Sequence, residues 1–381
     1  MRLVQLLPLL GLLSGCRAAE PPPQQPADRV AAATQLAGMP QLERRAFTLA
    51  EADLADDEYG PLAISGEGVV VFRASASDAP MFRIVDSTGR RLHAFGRQGD
   101  GPGEFRSPLF MQPRDTSIWI WDARRMVSLL YSFRGDPLGE SLAPVVRWPA
   151  AWAGDSVDLW VPPGPGTQAA PAVLRTAVRG GPDRTLIPAT DSGLRHIVAA
   201  WLGQRLDLLP YALGPDRIYI GDSYNFRIYS YDGSGKPLAV FGRQLPPHHR
   251  GPREAAEYRA SLTRGLQPYV GPDGKAVRQP GISARLDTLD REVTPHFFRA
   301  PLHVDDVGRL WVIGTLNDST TVDVFADTTF LGRTVLPCYL NRRGMPASVT
   351  SKWLLLECTL PESSDRPTEL QLYRVKEIQR P

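Results

Sequence analysis

Four residues, Phe95-Gly-Arg-Gln98, occur again as Phe241-Gly-Arg-Gln244, and the agreement runs backwards along the chain. Asp86, Gly89 and Leu92 match Asp232, Gly235 and Leu238, every pair separated by the same 146 positions (232−86, 235−89, 238−92, 241−95). One offset shared by that many positions marks an internally repeated chain, in which one supersecondary unit recurs and buries its apolar face against the next copy.

The units are short strands. Apolar runs punctuate the chain at Val69–Val71, Ile118–Ile120, Leu159–Val161, Ile218–Ile220, Leu310–Val312 and Trp353–Leu355, most of them preceded by turn formers such as Gly68, Asp115, Asp155, Asp216 and Gly308. Continuous apolar triplets suit strands buried on both faces. A more alternating strand follows, as in Phe82–Asp86 or Ile228–Asp232, then an Asp-to-Gly turn and a further strand at Leu92–Phe95 or Leu238–Phe241. Glycine accepts positive φ at such turns and Asp caps them. Three units in 146 residues give about 49 residues each, the size of a four-stranded blade with its loops. The pattern predicts an all-β chain: a six-bladed β-propeller of four-stranded antiparallel blades over residues 39–381, which the high Pro (36) and Gly (34) counts support. Leu42–Leu49 is placed to close the ring beside Gln371–Val375. Trp119, Trp160, Trp311 and Trp353 recur at repeat positions and belong to the core. The spacing breaks between Tyr219 and Trp311, 92 apart (311−219), which predicts an insertion at about 246–294 over one rim. Within it, Pro252–Leu262 has the composition of a short helix.

The N-terminus gives an address. Met1-Arg2 precedes an apolar run from Leu3 to Leu13, long enough for a signal-peptide core and too short to span a bilayer. Leu13-Ser14-Gly15-Cys16 resembles the bacterial lipobox, so residues 1–15 read as a lipoprotein signal peptide and Cys16 as the acylated residue. Acyl chains contribute roughly 0.8 kcal/mol per buried CH₂. Residues 16–38, Pro/Ala/Gln-rich with Pro21-Pro22-Pro23, read as the lipidated cysteine and a semi-extended tether. Arg17 rather than an acid after the cysteine favours, by analogy with enteric bacteria, the outer membrane, facing periplasm or exterior. Cys338 and Cys358 remain, either as a disulfide stapling the last two repeats or as two buried thiols on separate strands. A net charge of +2 and scattered arginines speak against a nucleic-acid partner.

Gly96–Phe105 and Pro301–Val312 together resemble the motif of bacterial six-bladed β-propeller lipoproteins related to NHL-repeat proteins. The likeness covers most of residues 40–380 and is strong in those two runs and in 214–244. It is weakest around 150–190, where Pro162-Pro-Gly-Pro-Gly166 interrupts the pattern and leaves the blade count open. The resemblance implies the fold; hydrolytic NHL-like propellers draw axial metal ligands from several blades, which makes a metal-assisted hydrolase or lyase at the central channel the alternative function.

The residues themselves favour a binding or scaffold module for a protein, peptide or glycan at one rim, attached to the membrane by its lipid. Gly99, Gly101 and Gly103 lack the Gly-Lys-Ser/Thr of a phosphate loop and shape a strand crossing instead. No Gly-x-Ser-x-Gly elbow occurs and no nucleophile stands out. Arg97 and Arg243 occupy equivalent strand ends, where a guanidinium either pairs with a neighbouring carboxylate or faces an anionic ligand. His248 and His249 are adjacent, so their side chains cannot share one face; His296 and His303, seven apart, have no carboxylate pattern around them. Arg97, Arg243, His248 and His249 form the candidate rim-binding set, with Tyr59, Tyr224 and Tyr269 as candidate groove walls. No catalytic, cofactor or metal residue is assigned; no cofactor is expected, with calcium left open.

Overall fold

The computed structural model describes residues 29–31, 39–53, 59–74, 80–114, 116–142, 148–161, 172–177, 182–200, 210–265, 269–270, 276–277, 286–297, 302–340, 347–360, 364 and 366–376. They form a six-bladed β-propeller of antiparallel four-stranded sheets. Blade 1 runs Leu62–Ile64, Val70–Arg73, Phe82–Val85, Arg91–Phe95; blade 2 runs Pro108–Arg114, Ser117–Asp122, Val127–Ser132, Pro137–Leu142. Blade 3 is Trp148–Ala153, Ser156–Val161, Ala172–Ala177, Arg184–Ile187, which gives the region that departs from the repeat pattern its full four strands. Blade 4 is Tyr211–Leu213, Arg217–Asp222, Arg227–Asp232, Pro237–Arg243, and blade 5 is Leu302–Val304, Arg309–Leu316, Ser319–Ala326, Thr329–Leu336. Blade 6 combines Ala347–Val349, Trp353–Thr359 and Thr368–Lys376 with the early strand Gln41–Arg44.

All six apolar runs fall in the second strand of a blade or at its start. The physical reason is visible in the cores. Each junction between neighbouring blades has its own apolar cluster, so a second strand meets another blade on either side. Ile118, Ile120, Ile218, Ile220, Leu310 and Val312 are wholly buried as a result, as is Trp311. Burying one such side chain contributes about 1.5–3 kcal/mol, and the seams repeat that term around the ring. The same reasoning explains the glycines of the repeat. Gly89 and Gly235 both have positive φ, +92° and +88°, and a Cβ on either would lie 2.2 Å from the Thr48 carbonyl oxygen or 1.9 Å from that of Leu186. These two positions therefore serve the turn and the close approach of a neighbouring segment at once.

The run Pro301–Val312 that carries part of the resemblance is likewise a folding device. The Asp305 carboxylate accepts from the N–H groups of Val307 and Arg309 at 3.2 and 2.8 Å, from Arg309 Nε at 2.7 Å and from Trp311 Nε1 at 2.9 Å. Asp306 accepts from the Ser351 hydroxyl at 2.8 Å, tying blade 5 to blade 6.

Closure uses the segment anticipated, shortened. Gln41–Arg44 pairs antiparallel with Tyr373–Lys376, Leu42 opposite Val375. The strand ends there rather than at Leu49, because the chain crosses to blade 1, where Thr48 N–H donates to the Thr88 carbonyl and covers Gly89. A disulfide joins Cys338, just past the outer strand of blade 5, to Cys358 in the second strand of blade 6, with Cα atoms 5.3 Å apart. Closing a loop over a separation of 20 residues removes unfolded-state freedom, an effect of about 3 kcal/mol.

One feature differs from the expected tether. Arg29–Ala31 pairs in parallel with Phe241–Arg243 and gives blade 4 a fifth strand. The open outer edge of a blade presents unpaired N–H and C=O groups, and an extended stretch of chain satisfies them. The signal segment and Cys16 lie outside the described residues. Among the described residues, no helix is long and apolar enough to cross a membrane.

Candidate functional site

In an antiparallel meander the links between strands one–two and three–four of every blade emerge on one face of the ring. The links two–three and the blade-to-blade crossings emerge on the other, here termed the crossing face. Arg97, Arg243, His248 and His249 all belong to crossings, as does the insertion, so the sequence candidates share one face.

The insertion is bolted to it. Helix α1 (Pro252–Gly265) begins with a proline, a residue with no amide hydrogen to leave unsatisfied. The next two N–H groups, of Arg253 and Glu254, donate at 2.9 and 3.2 Å to Asp318 in the two–three link of blade 5. Arg253 then donates to the carbonyls of Thr359 and Leu360 at 3.2 and 2.6 Å, and its guanidinium lies 4.3 Å over the Tyr339 ring. The Tyr339 hydroxyl donates to Glu257 at 2.9 Å; burial first, and this hydrogen bond second, push the phenol up. The helix is thus fixed across blades 5 and 6 beside the disulfide.

The root of the insertion lies between blades 4 and 5. His248 is buried, its Nδ1 2.8 Å from Thr294 Oγ1, whereas exposed His249 turns away toward the Glu292 carbonyl at 3.2 Å. The ring of His248 stands 5.4 Å from that of His296, which the sequence places 48 residues on (296−248). The His296 N–H donates to the Ser223 carbonyl at 2.8 Å, and its ring meets Phe226 edge-on at 5.8 Å. Its imidazole is pushed down to about 4, by burial first and then by the positive charges of His248, Arg333 and Arg243.

Arg243 is buried at the same junction. Its Nη1 donates to Asp323 at 2.7 Å while the guanidinium lies 4.5 Å over Phe330. Arg333 forks onto the same wholly buried carboxylate, with contacts of 2.9, 3.1 and 2.6 Å. One aspartate therefore serves two arginines. In front of Arg243 opens a cavity of about 470 Å³. Tyr224 and Asn225 line it from the two–three link of blade 4, and Arg227, Arg243 and Gln244 from the ends of its outer strands. Leu245, Pro247 and Val293, at the root of the insertion, complete the wall.

Arg97 has a different setting. It is exposed and its Nε donates to Glu104 at 2.6 Å; the other Glu104 oxygen accepts from the Gly101 N–H at 2.8 Å. The Gly101 N–H first, then Arg97, hold the Glu104 carboxyl below its usual range, against the opposing pull of desolvation. A Cβ at Gly99, where φ is +156°, would fall 1.9 Å from Glu104 Oε2, so the glycine-rich run is a crossing loop folded around one carboxylate. Tyr59 is not a groove wall: it is buried edge-on to Phe72, with its N–H donating to Glu357 at 2.7 Å. Tyr224 does line the cavity; of Tyr269 only the backbone is described. Trp119, Trp160, Trp311 and Trp353 are all buried.

Sequence reading did not reach Asp323, Arg333 or Arg227 and weighed His296 only as a metal ligand, because the cluster forms where the Arg243 strand end meets Asp323, 80 residues on (323−243). One signal was present: Asp323 interrupts the apolar strand Val322-Asp-Val-Phe325, and an acid at the centre of such a run requires a buried cationic partner. Among the described residues, no group of three or more His, Cys, Asp or Glu side chains is placed to hold a metal ion.

No protein-family model and no curated protein matches the chain. Solved structures do. A protein of Bacteroides fragilis described as exported superposes with a TM-score of 0.50 at 10% identity, over 92% of this chain and 99% of that one. A member of the DUF4221 family from Bacteroides vulgatus superposes with a TM-score of 0.52 at 10% identity, over 91% of this chain and 100% of that one. At such identity the likeness is one of fold.

Proposed function

We propose that the chain is a lipid-anchored, extracytoplasmic binding module that takes a protein, peptide or glycan on its crossing face, at the root of the insertion. The fold is that of a protein described as exported, and the lipobox-like Leu13–Cys16 supplies the anchor, with Cys16 as the acylated residue. The observation that carries the reading is the 470 Å³ cavity, walled on one side by strand ends of blade 4 and on the other by the insertion. Strands consumed by inter-blade packing hold that wall rigid, while the loop segments at its edge are free to differ in sequence; rigid scaffolds with loop-borne specificity are how such folds bind. Pockets of this size accommodate a side chain or a sugar rather than a large surface.

The test is site-specific photocrosslinking in cells. Val293 is exposed beside the cavity and Val307 is exposed on the opposite face, in the one–two turn of blade 5. A photoreactive residue at 293 yields a discrete adduct and the same residue at 307 does not. Equal labelling at both, or none at 293, removes the crossing face as the binding surface. The anchor is tested apart from this: a Cys16→Ser protein leaves the membrane fraction, and one that stays refutes lipidation as the attachment.

A further inference from the structure

We infer that the cavity at the root of the insertion is an oxyanion subsite, built to receive a carboxylate or phosphoryl group of the ligand. The inference rests on the binding reading above and gives it a chemistry.

Two guanidiniums, of Arg227 and Arg243, line the cavity, and among the described residues no carboxylate does. The nearby acids are already engaged. Asp222 accepts from the N–H groups of Tyr224 and Asn225 and from Asn225 Nδ2, at 3.1, 3.3 and 2.7 Å. Asp323 is shared by Arg333 and Arg243, and Glu292 accepts from Arg250 at 2.8 Å. Arg243 is held 6% exposed, yet among the described residues its Nε–H has no hydrogen-bond partner, although it belongs to a side chain that lines the cavity. A buried N–H without an acceptor is costly, the more so on a charged group, and an incoming oxygen removes that cost. The side-chain amide of Gln244 stands in the same wall and supplies a neutral donor beside the guanidiniums. The field at the junction is positive, since both Arg243 and Arg333 help to depress His296. Asp323 neutralises one guanidinium of the two that it binds, so the junction has room for one more negative charge. An anion in the cavity would meet Arg243, whose Nη1 holds Asp323 and whose Nε is left over, and complete that balance.

The experiment uses the full chain in detergent micelles, melted at constant ionic strength against rising phosphate and, in a parallel arm, rising succinate, with chloride as the balancing anion. A saturable rise in melting temperature with either probe is expected. A response to phosphate alone assigns the site to phosphoryl groups, and to succinate alone to carboxylates. Gln244→Glu places a negative charge on an exposed lining residue and should abolish the response without touching the core; Arg227→Gln should weaken it at least tenfold in apparent affinity. Arg90→Gln, on an exposed turn of the opposite face, should leave it unchanged. No saturable response to either anion, or one that survives Gln244→Glu, overturns the inference. That result would leave the crosslink at residue 293 intact, so the chemistry and the location of binding fail separately.

Discussion

The crossings out of blade 1 and out of blade 4 begin with the same four residues and put them to opposite uses. In the first, Arg97 keeps 72% of its side chain exposed and ties Glu104 across a short glycine-rich loop. In the second, Arg243 keeps 6% and shares wholly buried Asp323 with Arg333 under the root of an insertion. The local sequence is identical at Phe-Gly-Arg-Gln; the neighbours are not. A guanidinium in solvent contributes little through an ion pair, whereas one that has lost its water depends on its partner. Repetition thus fixes where an arginine emerges from a blade, and the next blade decides whether it becomes structural.

The comparison is broken most severely by removing the shared acid. Asp323→Ala leaves two guanidiniums uncompensated at the blade 4–5 junction and should cost about 3–5 kcal/mol in chemical denaturation. Arg243→Ala should cost less, because Arg333 still forks onto Asp323. If Asp323→Ala melts like the parent, the junction is not held by this charge cluster.

The next effect is a pH dependence of the second crossing. His296 titrates near 4 in the folded protein, below its ordinary value of 6.5. The unfolded chain therefore takes up a proton that the folded chain refuses. Stability is complete above 6.5 and falls as the pH drops toward 4, by up to roughly 3 kcal/mol across that window. A His296→Gln protein should lose this slope in melting curves taken between pH 7 and 4.5. An unchanged slope would assign the effect to other groups.

The smallest effect belongs to the first crossing. Arg97→Ala should change stability by no more than about 0.5 kcal/mol, since an exposed ion pair is screened and entropically costly to hold. Glu104→Gln should act locally, accelerating amide exchange at Gly101, whose N–H it binds, with no loss of the blade. Global unfolding in either variant would make this crossing as structural as its counterpart.

These expectations also mark how far the sequence could be read. The second strands were legible from Ile118–Ile120 or Leu310–Val312, because a strand packed on both faces needs an unbroken apolar run that nothing else explains. The closing strand was legible in position and not in length, since Thr48 bonds the Thr88 carbonyl in the turn of blade 1 that holds Gly89, a contact that no local pattern announces. His248 and His249 were correctly kept off a common face, while the approach of His296 to His248 was invisible. The strand at Arg29–Ala31 arose where composition predicted only a tether, because an open sheet edge supplies the partners that the segment's own residues do not specify.

By itself, then, the chain determined its repeat: a 146-residue offset, buried triplets and Asp-to-Gly turns are local regularities, and local regularities set the number and kind of strands. It determined which face the candidates share, since chain direction alternates strand by strand. Which arginine was buried, which acid it met and which cavity it lined were set by the assembled ring. Those outcomes depend on groups brought together across blade junctions, and the free energy of a charge is set by the solvent and partners around it rather than by its neighbours in sequence.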